Sequence, residues 1–138
     1  AGTFVTDEEK SEFDELLRDP QFAETVECLG FVSGAAKESA LREADLFCFP
    51  TRYGAENQPV TLIEAMASGT PVLGTHRGSL PEIVSADVGV LGDSVEELVA
   101  GRAALDAIEP EACRARVERL FTHRAMAENY LREYALAR

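Results

Sequence analysis

From Asp45 onward, short apolar runs alternate with longer amphipathic stretches, each closed by proline or glycine. Asp45–Pro50 (DLFCFP), Pro71–Gly74 (PVLG) and Val88–Leu91 are too continuously apolar for strands with a wet face, so they read as buried strands. The stretches between them have helical spacing. Strands that recur with helices between them are parallel and joined by crossovers. The chain is therefore α/β, a parallel sheet with flanking helices.

Local signals place the remaining elements. Thr6–Glu9 (TDEE) has capping-box spacing and opens a helix with Phe13, Leu16 and Leu17 on its apolar stripe. Val26–Gly30 (VECLG) reads as a further short strand, and Ala36–Ala44 as a short helix. After the polar loop TRYGAENQ, Pro59–Ser68 is helical, with Pro59 in the first turn and Gly69 as the stop. Ser79–Val84 makes another short helix. Ser94 and Glu97 form a capping box for a helix through about Ile108, with Val95, Leu98, Val99 and Leu105 on one face. Closing helices occupy about 110–137, the first carrying Cys113, Val117, Leu120 and Phe121, the second Met126, Tyr130 and Tyr134.

A length of 138 residues with 46% hydrophobic residues suits one domain with one core. No apolar run reaches the roughly 20 residues of a membrane helix, and the first residues lack signal-peptide character, so the expectation is a soluble, cytoplasmic chain. Cys28, Cys48 and Cys113 are widely spaced and read as small buried hydrophobes. Without C-x-x-C spacing, and with His76 and His123 the only histidines, neither a disulfide framework nor a metal site is expected. A net charge of −12 opposes a nucleic-acid-binding role. Residues 110 to 138 nonetheless carry six arginines against four glutamates. That is read as a solvated helix pair, with a partner-facing or membrane-facing surface as the alternative.

The chemistry concentrates in ENQPVTLIEAMASGTPVLGT, Glu56–Thr75. At 100° per residue, Thr61, Glu64 and Ser68 share a polar helix face opposite Leu62, Ile63 and Met66. The first turn leaves the amides of Val60, Thr61 and Leu62 without intrahelical partners, and the helix dipole adds positive charge there. A diphosphate suits that end. Glu64, one turn in, can accept hydrogen bonds from an adjacent ribose, and Glu56 can do the same for sugar hydroxyls. A plain capped, half-exposed helix is the competing reading.

The run FCFPTRYGAENQPVTLIEAMASGTPVLGTHRGSLPEIV resembles the signature region of glycosyltransferase family 4, in which two glutamates, here Glu56 and Glu64, flank seven residues. The resemblance covers about Val26–Gly101, and FTHRAMAENYLREY is similar to the family's closing helices. It implies the Rossmann-like donor-binding domain of a two-domain (GT-B) retaining glycosyltransferase of hexosyl type, using a nucleotide-diphosphate sugar and no metal or other cofactor. Residue by residue, it implies that Glu64 holds the ribose hydroxyls. Glu56, the candidate catalytic residue, lies near the donor sugar. The amides of Asn57 and Gln58 face the sugar, those of Val60 and Thr61 the diphosphate, and the loop Phe31, Val32, Ser33 the base.

Gln58-Pro59 departs from the aromatic and glycine of many members. It is similar to the form found in members that build bacterial surface polysaccharides, and its proline removes one amide from the sugar site. The family's diphosphate-binding arginine and lysine lie in sequence upstream and have no counterpart here. Arg52 and Arg77 are the nearby substitutes, each otherwise a solvated loop residue.

The resemblance further implies that residues 1–138 are a partial nucleotide-sugar-binding domain, truncated at the N-terminus and inactive alone. In the order 3-2-1-4-5-6, absent strands would split the sheet between VECLG and the rest. The exposed edge would then call for the missing acceptor domain, a partner chain, a homo-oligomer, or a strand role for Thr3–Val5. Attachment to the inner membrane face is a further expectation. The competing functions are a non-catalytic GT-B-like module acting in assembly or partner binding, and an epimerase of the related two-domain fold. His76, with no visible acid or nucleophile beside it, reads as a solvated loop residue.

Overall fold

Three short strands form where the sequence pattern places them. In the computed structural model, which describes residues 2–137, β1 (Phe47–Phe49), β2 (Val72–Thr75) and β3 (Gly89–Gly92) pair in parallel in the order β1-β2-β3. The register sets Phe47 against Val72 and Val72 against Gly89. β2, paired on both sides, is buried throughout, whereas β1 has a neighbour on one side only and leaves Cys48 exposed. The expectation of a uniformly buried Asp45–Pro50 strand is corrected by that edge position.

The chain divides by its contacts into two units, Ala1–Glu38 and Ser39–Arg138. The terminal residues of the expected 1–138 span lie outside the described residues. In the first unit, α1 (Asp7–Leu16) has the full capping box: Thr6 Oγ1 accepts from the Glu9 amide and the Glu9 carboxylate accepts from the Thr6 amide. α2 (Pro20–Ala23) starts at Asp19, whose side chain accepts from the Gln21 amide. Phe4 and Phe13 meet with ring centroids 5.2 Å apart. None of residues 2–38 is buried.

Val26–Gly30 is irregular rather than a strand, because apolar composition cannot make a strand without a neighbouring ladder to take its amides. Among the described residues the sheet therefore has three strands, and the expected split is not found. Thr3–Val5 likewise forms no strand; beside it, the Gly2 amide donates to the Gly30 carbonyl at 2.7 Å. Cys28 is exposed, so of the three cysteines expected inside only Cys113 is buried.

α3 (Gly34–Glu43) runs across the boundary between the units. In the second unit, α4 (Val60–Ser68) leads into β2 and α5 (Leu80–Ile83) into β3. α6 (Val95–Gly101) follows β3, α7 (Pro110–Leu120) packs along α4, and α8 (His123–Leu136) ends the described chain. Leu62, Met66, Val72, Leu80, Val88 and Cys113 are fully buried in one cluster; Leu73, Leu98 and Leu105 make a second.

Ser94 caps α6 by accepting from the Glu97 amide, but the Glu97 carboxylate accepts from Asp93, one residue before the cap. The expected single helix to Ile108 tightens into a 3-10 turn over Arg102–Ala107. Among the described residues no helix is long and apolar enough to cross a membrane.

Candidate functional site

α4 is built to leave its first turn open. Pro59 takes the N-cap position rather than the first turn, with φ −64° and ψ 108°; it has no amide and no side-chain oxygen to offer. Its carbonyl accepts from Leu62 at 3.1 Å and Ile63 at 3.4 Å. Leu62 is thus satisfied, contrary to the expectation that its amide would be open. Among the described residues the amides of Val60 and Thr61 find no backbone acceptor and no side-chain cap. Both side chains are exposed, so this pair of donors and the positive end of the helix dipole face solvent together.

The two faces of α4 separate as its spacing implies. Leu62, Ala65 and Met66 are fully buried, whereas Thr61 is exposed and Glu64 and Ser68 are half-buried. The Ser68 hydroxyl donates back to the Glu64 carbonyl at 3.0 Å, which leaves Glu64 as the acidic member of that face. At the far end Gly69 stops the helix at φ 92°.

Glu56 precedes the open turn and is half-buried. Its backbone is fixed from outside its own loop: the Glu56 carbonyl accepts from the Ser79 amide at 2.9 Å. Gly78 makes this approach feasible. At φ +53°, any Cβ there would lie 2.1 Å from the Glu56 carbonyl oxygen. One residue earlier the Arg77 amide donates to the Thr75 carbonyl at 2.8 Å, and the Thr75 hydroxyl donates to the Thr51 carbonyl at 2.5 Å. The turn after β2 therefore holds both ends of the loop after β1.

These supports were missed in the sequence. A glycine in a polar turn after a strand is visible there; its partner 22 positions earlier is not.

Asn57 and Gln58 are exposed, and Gln58 lines a groove of about 490 Å³ with residues of α8, including Tyr130 and Glu133. The stretch from Glu56 to Glu64 thus lies continuously in the second unit. Phe31, Val32 and Ser33 belong to the first unit, where Phe31 is 79% exposed and Val32 half-buried, between Gly30 and Gly34, both at positive φ. Arg52 and Arg77 are exposed and, among the described residues, have no ion-pair partner. His76 Nδ1 lies 3.4 Å from Asp93 Oδ2, both side chains about half exposed. Among the described residues no cluster of three histidine, cysteine or acidic side chains could hold a metal.

The arrangement can hold an extended ligand with an anionic centre at the helix end and hydroxyl groups on either side. The family model for glycosyl transferases group 1 matches residues 2–120. WcaL of Escherichia coli (strain K12), a glycosyltransferase named for colanic acid biosynthesis, is 38% identical over 76 residues. That match covers 52% of this chain and 19% of WcaL. The phosphatidyl-myo-inositol mannosyltransferase of Mycobacterium leprae (strain TN) is 39% identical over 75 residues, 51% of this chain and 20% of the relative. The chain thus spans about a fifth of the length of these curated relatives. AviGT4, a glycosyltransferase involved in avilamycin A biosynthesis, superposes with a TM-score of 0.75 at 29% identity, over 97% of this chain and 41% of AviGT4. Family match and fold coincide on the same residues, and the chain belongs to the group 1 glycosyl transferases.

Proposed function

We propose that this chain binds the donor in a retaining transfer of a hexosyl group from a nucleotide-diphosphate sugar to an acceptor, in the building of a surface polysaccharide. The observation that carries the reading is the open first turn of α4 set between two half-buried carboxylates. The Val60 and Thr61 amides receive the diphosphate, Glu64 accepts from the ribose hydroxyls, and Glu56 with the Asn57 and Gln58 amides lies along the donor sugar. Phe31, Val32 and Ser33 contact the base. The names of WcaL and the mannosyltransferase support sugar transfer and, for WcaL, a part in colanic acid biosynthesis. Their greater length supports an acceptor held by another domain or chain.

The chemistry is electrostatic. As the bond from the sugar to the diphosphate breaks, negative charge grows on the leaving phosphate while the sugar ring gains oxocarbenium character. Amides and a helix dipole already aimed at that phosphate stabilise the charge without reorganising, and no metal is required in this scheme. Glu56, fixed through its carbonyl by Ser79, orients the departing sugar and balances its positive charge.

Ligand-observed NMR of the chain with UDP, GDP, ADP and dTDP, repeated on Glu64→Ala, tests the reading. One nucleotide should bind, and the variant should weaken it about ten- to a hundredfold, the cost of charge-assisted hydrogen bonds to the ribose. Unchanged binding in Glu64→Ala, or no binding of any of the four, overturns the donor assignment.

A further inference from the structure

The carboxyl ends of all three strands open onto one cavity of about 500 Å³. Thr51 and Arg52 enter it from the exit of β1, Thr75 and Arg77 from the exit of β2, and Asp93 from the exit of β3. Ligands of open parallel sheets settle beyond this end of the strands. We propose that this cavity binds a phosphate oxyanion of a substrate, gripped between the guanidinium groups of Arg52 and Arg77. The inference rests on the donor-site reading for what the phosphate belongs to, but not for whether one binds.

Charge is the first reason. In a chain of net charge −12, most acids have no need to seek out a cation, yet Arg102, Arg114 and Arg124 are each tied to a carboxylate. Arg52 and Arg77 have no such tie among the described residues, although both face the same cavity. The opposing charge lining it is Asp93, which sits 3.4 Å from His76. Two cations against one partnered carboxylate leave the cavity positive.

The donors available are the second reason. The Thr75 hydroxyl is spent on the Thr51 carbonyl, and the Ser94 hydroxyl donates to the Glu96 carboxylate. What remains for a ligand is chiefly the two guanidinium forks, whose planar donors match phosphate oxygens.

Mechanical linkage is the third. Thr75, Arg77, Gly78 and Ser79 form one short turn: its first residue anchors the loop carrying Arg52, its second projects Arg77 into the cavity, and its last two dock the Glu56 backbone. A phosphate held by the arginines and the backbone of Glu56 are therefore referred to the same short segment.

Amide spectra of the full chain, titrated with inorganic pyrophosphate and then with UDP and GDP, decide the matter. Pyrophosphate should shift the amides of Arg52, Thr75 and Arg77 saturably, with affinity about tenfold or more lower in Arg52→Gln and in Arg77→Gln. Arg77→Lys, which keeps the charge and loses the fork, should fall between, and Arg124→Gln should bind as the parent does. If a nucleoside diphosphate shifts the same amides, the phosphate is the donor's; if only pyrophosphate does, it is a phosphate on the acceptor side. Both results support the site. Glu64→Ala should lose the nucleotide while keeping pyrophosphate, which separates failure of the donor reading from failure of this one. The proposal is overturned if pyrophosphate gives no saturable shift at these amides, or if both glutamine variants bind it as tightly as the parent.

Discussion

Gly78 stands where a side chain of any size would collide with Glu56. Alanine there pays twice, once for the left-handed φ of +53° and again for a Cβ 2.1 Å from a backbone oxygen. The turn must shift, and the bond from the Ser79 amide to the Glu56 carbonyl goes with it. Gly78→Ala should lower stability by about 1–3 kcal/mol in urea denaturation. It should also weaken the extra affinity that a nucleotide sugar has over its nucleoside diphosphate, because Glu56 moves while Glu64 and the α4 amides do not. Equal loss for both ligands would mean that the turn supports the fold and not Glu56 in particular. This residue shows where sequence reading stops. The Thr6 and Ser94 caps and the Gly69 stop were legible because each is decided within a few residues. The pairing of Gly78 with Glu56 is a tertiary fact, as is the exposure of Cys48, which depends on β1 lying at an edge.

At the scale of elements, α4 is held by its apolar face and finished by its ends. Leu62 and Met66 are fully buried with Cys113 of α7, while Arg114, one residue on, donates to the Ser68 carbonyl at 3.0 Å and pairs with Glu111 at 2.8 Å. The guanidinium lies against Gly69, in space that a Cβ would fill. The two contributions should differ in size. Leu62→Ala removes buried methyl groups from a packed cluster and should cost about 2–5 kcal/mol. Arg114→Ala removes a half-exposed contact with a helix C-terminus and should cost about 1 kcal/mol. Urea denaturation of both variants checks the ranking, and a reversal would place the stability of α4 in its end rather than its face. Most helices and the β1-β2-β3 strands were legible because helical spacing and continuous apolar runs are decided locally; α2, a single short turn, was not foreseen. Val26–Gly30 was misread because four apolar or neutral residues look alike with or without a neighbouring strand.

The whole molecule distributes its burial unevenly, and this has a consequence for motion. Every buried residue lies at Leu41 or beyond; residues 2–38 contain none, and α1 and α2 are held by caps and by contacts such as Phe4 with Phe13. Caps and exposed pairs contribute tenths of a kcal/mol to about 2 kcal/mol, whereas a buried core sets the global stability of a domain. Local opening should therefore release the amides of α1 long before those of β2, which is buried and paired on both sides. Native-state hydrogen exchange should find α1 at least about a hundredfold less protected than Leu73 and Gly74. If α1 is protected as strongly as β2, another surface covers the first unit in solution, such as a second copy of the chain. Phe31, Val32 and Ser33 sit in this weakly held unit and Glu64 in the strongly held one. On the donor reading, a bound nucleotide should raise protection of Phe31–Ser33, and a nucleotide that leaves Phe31–Ser33 unchanged would remove that loop from the site.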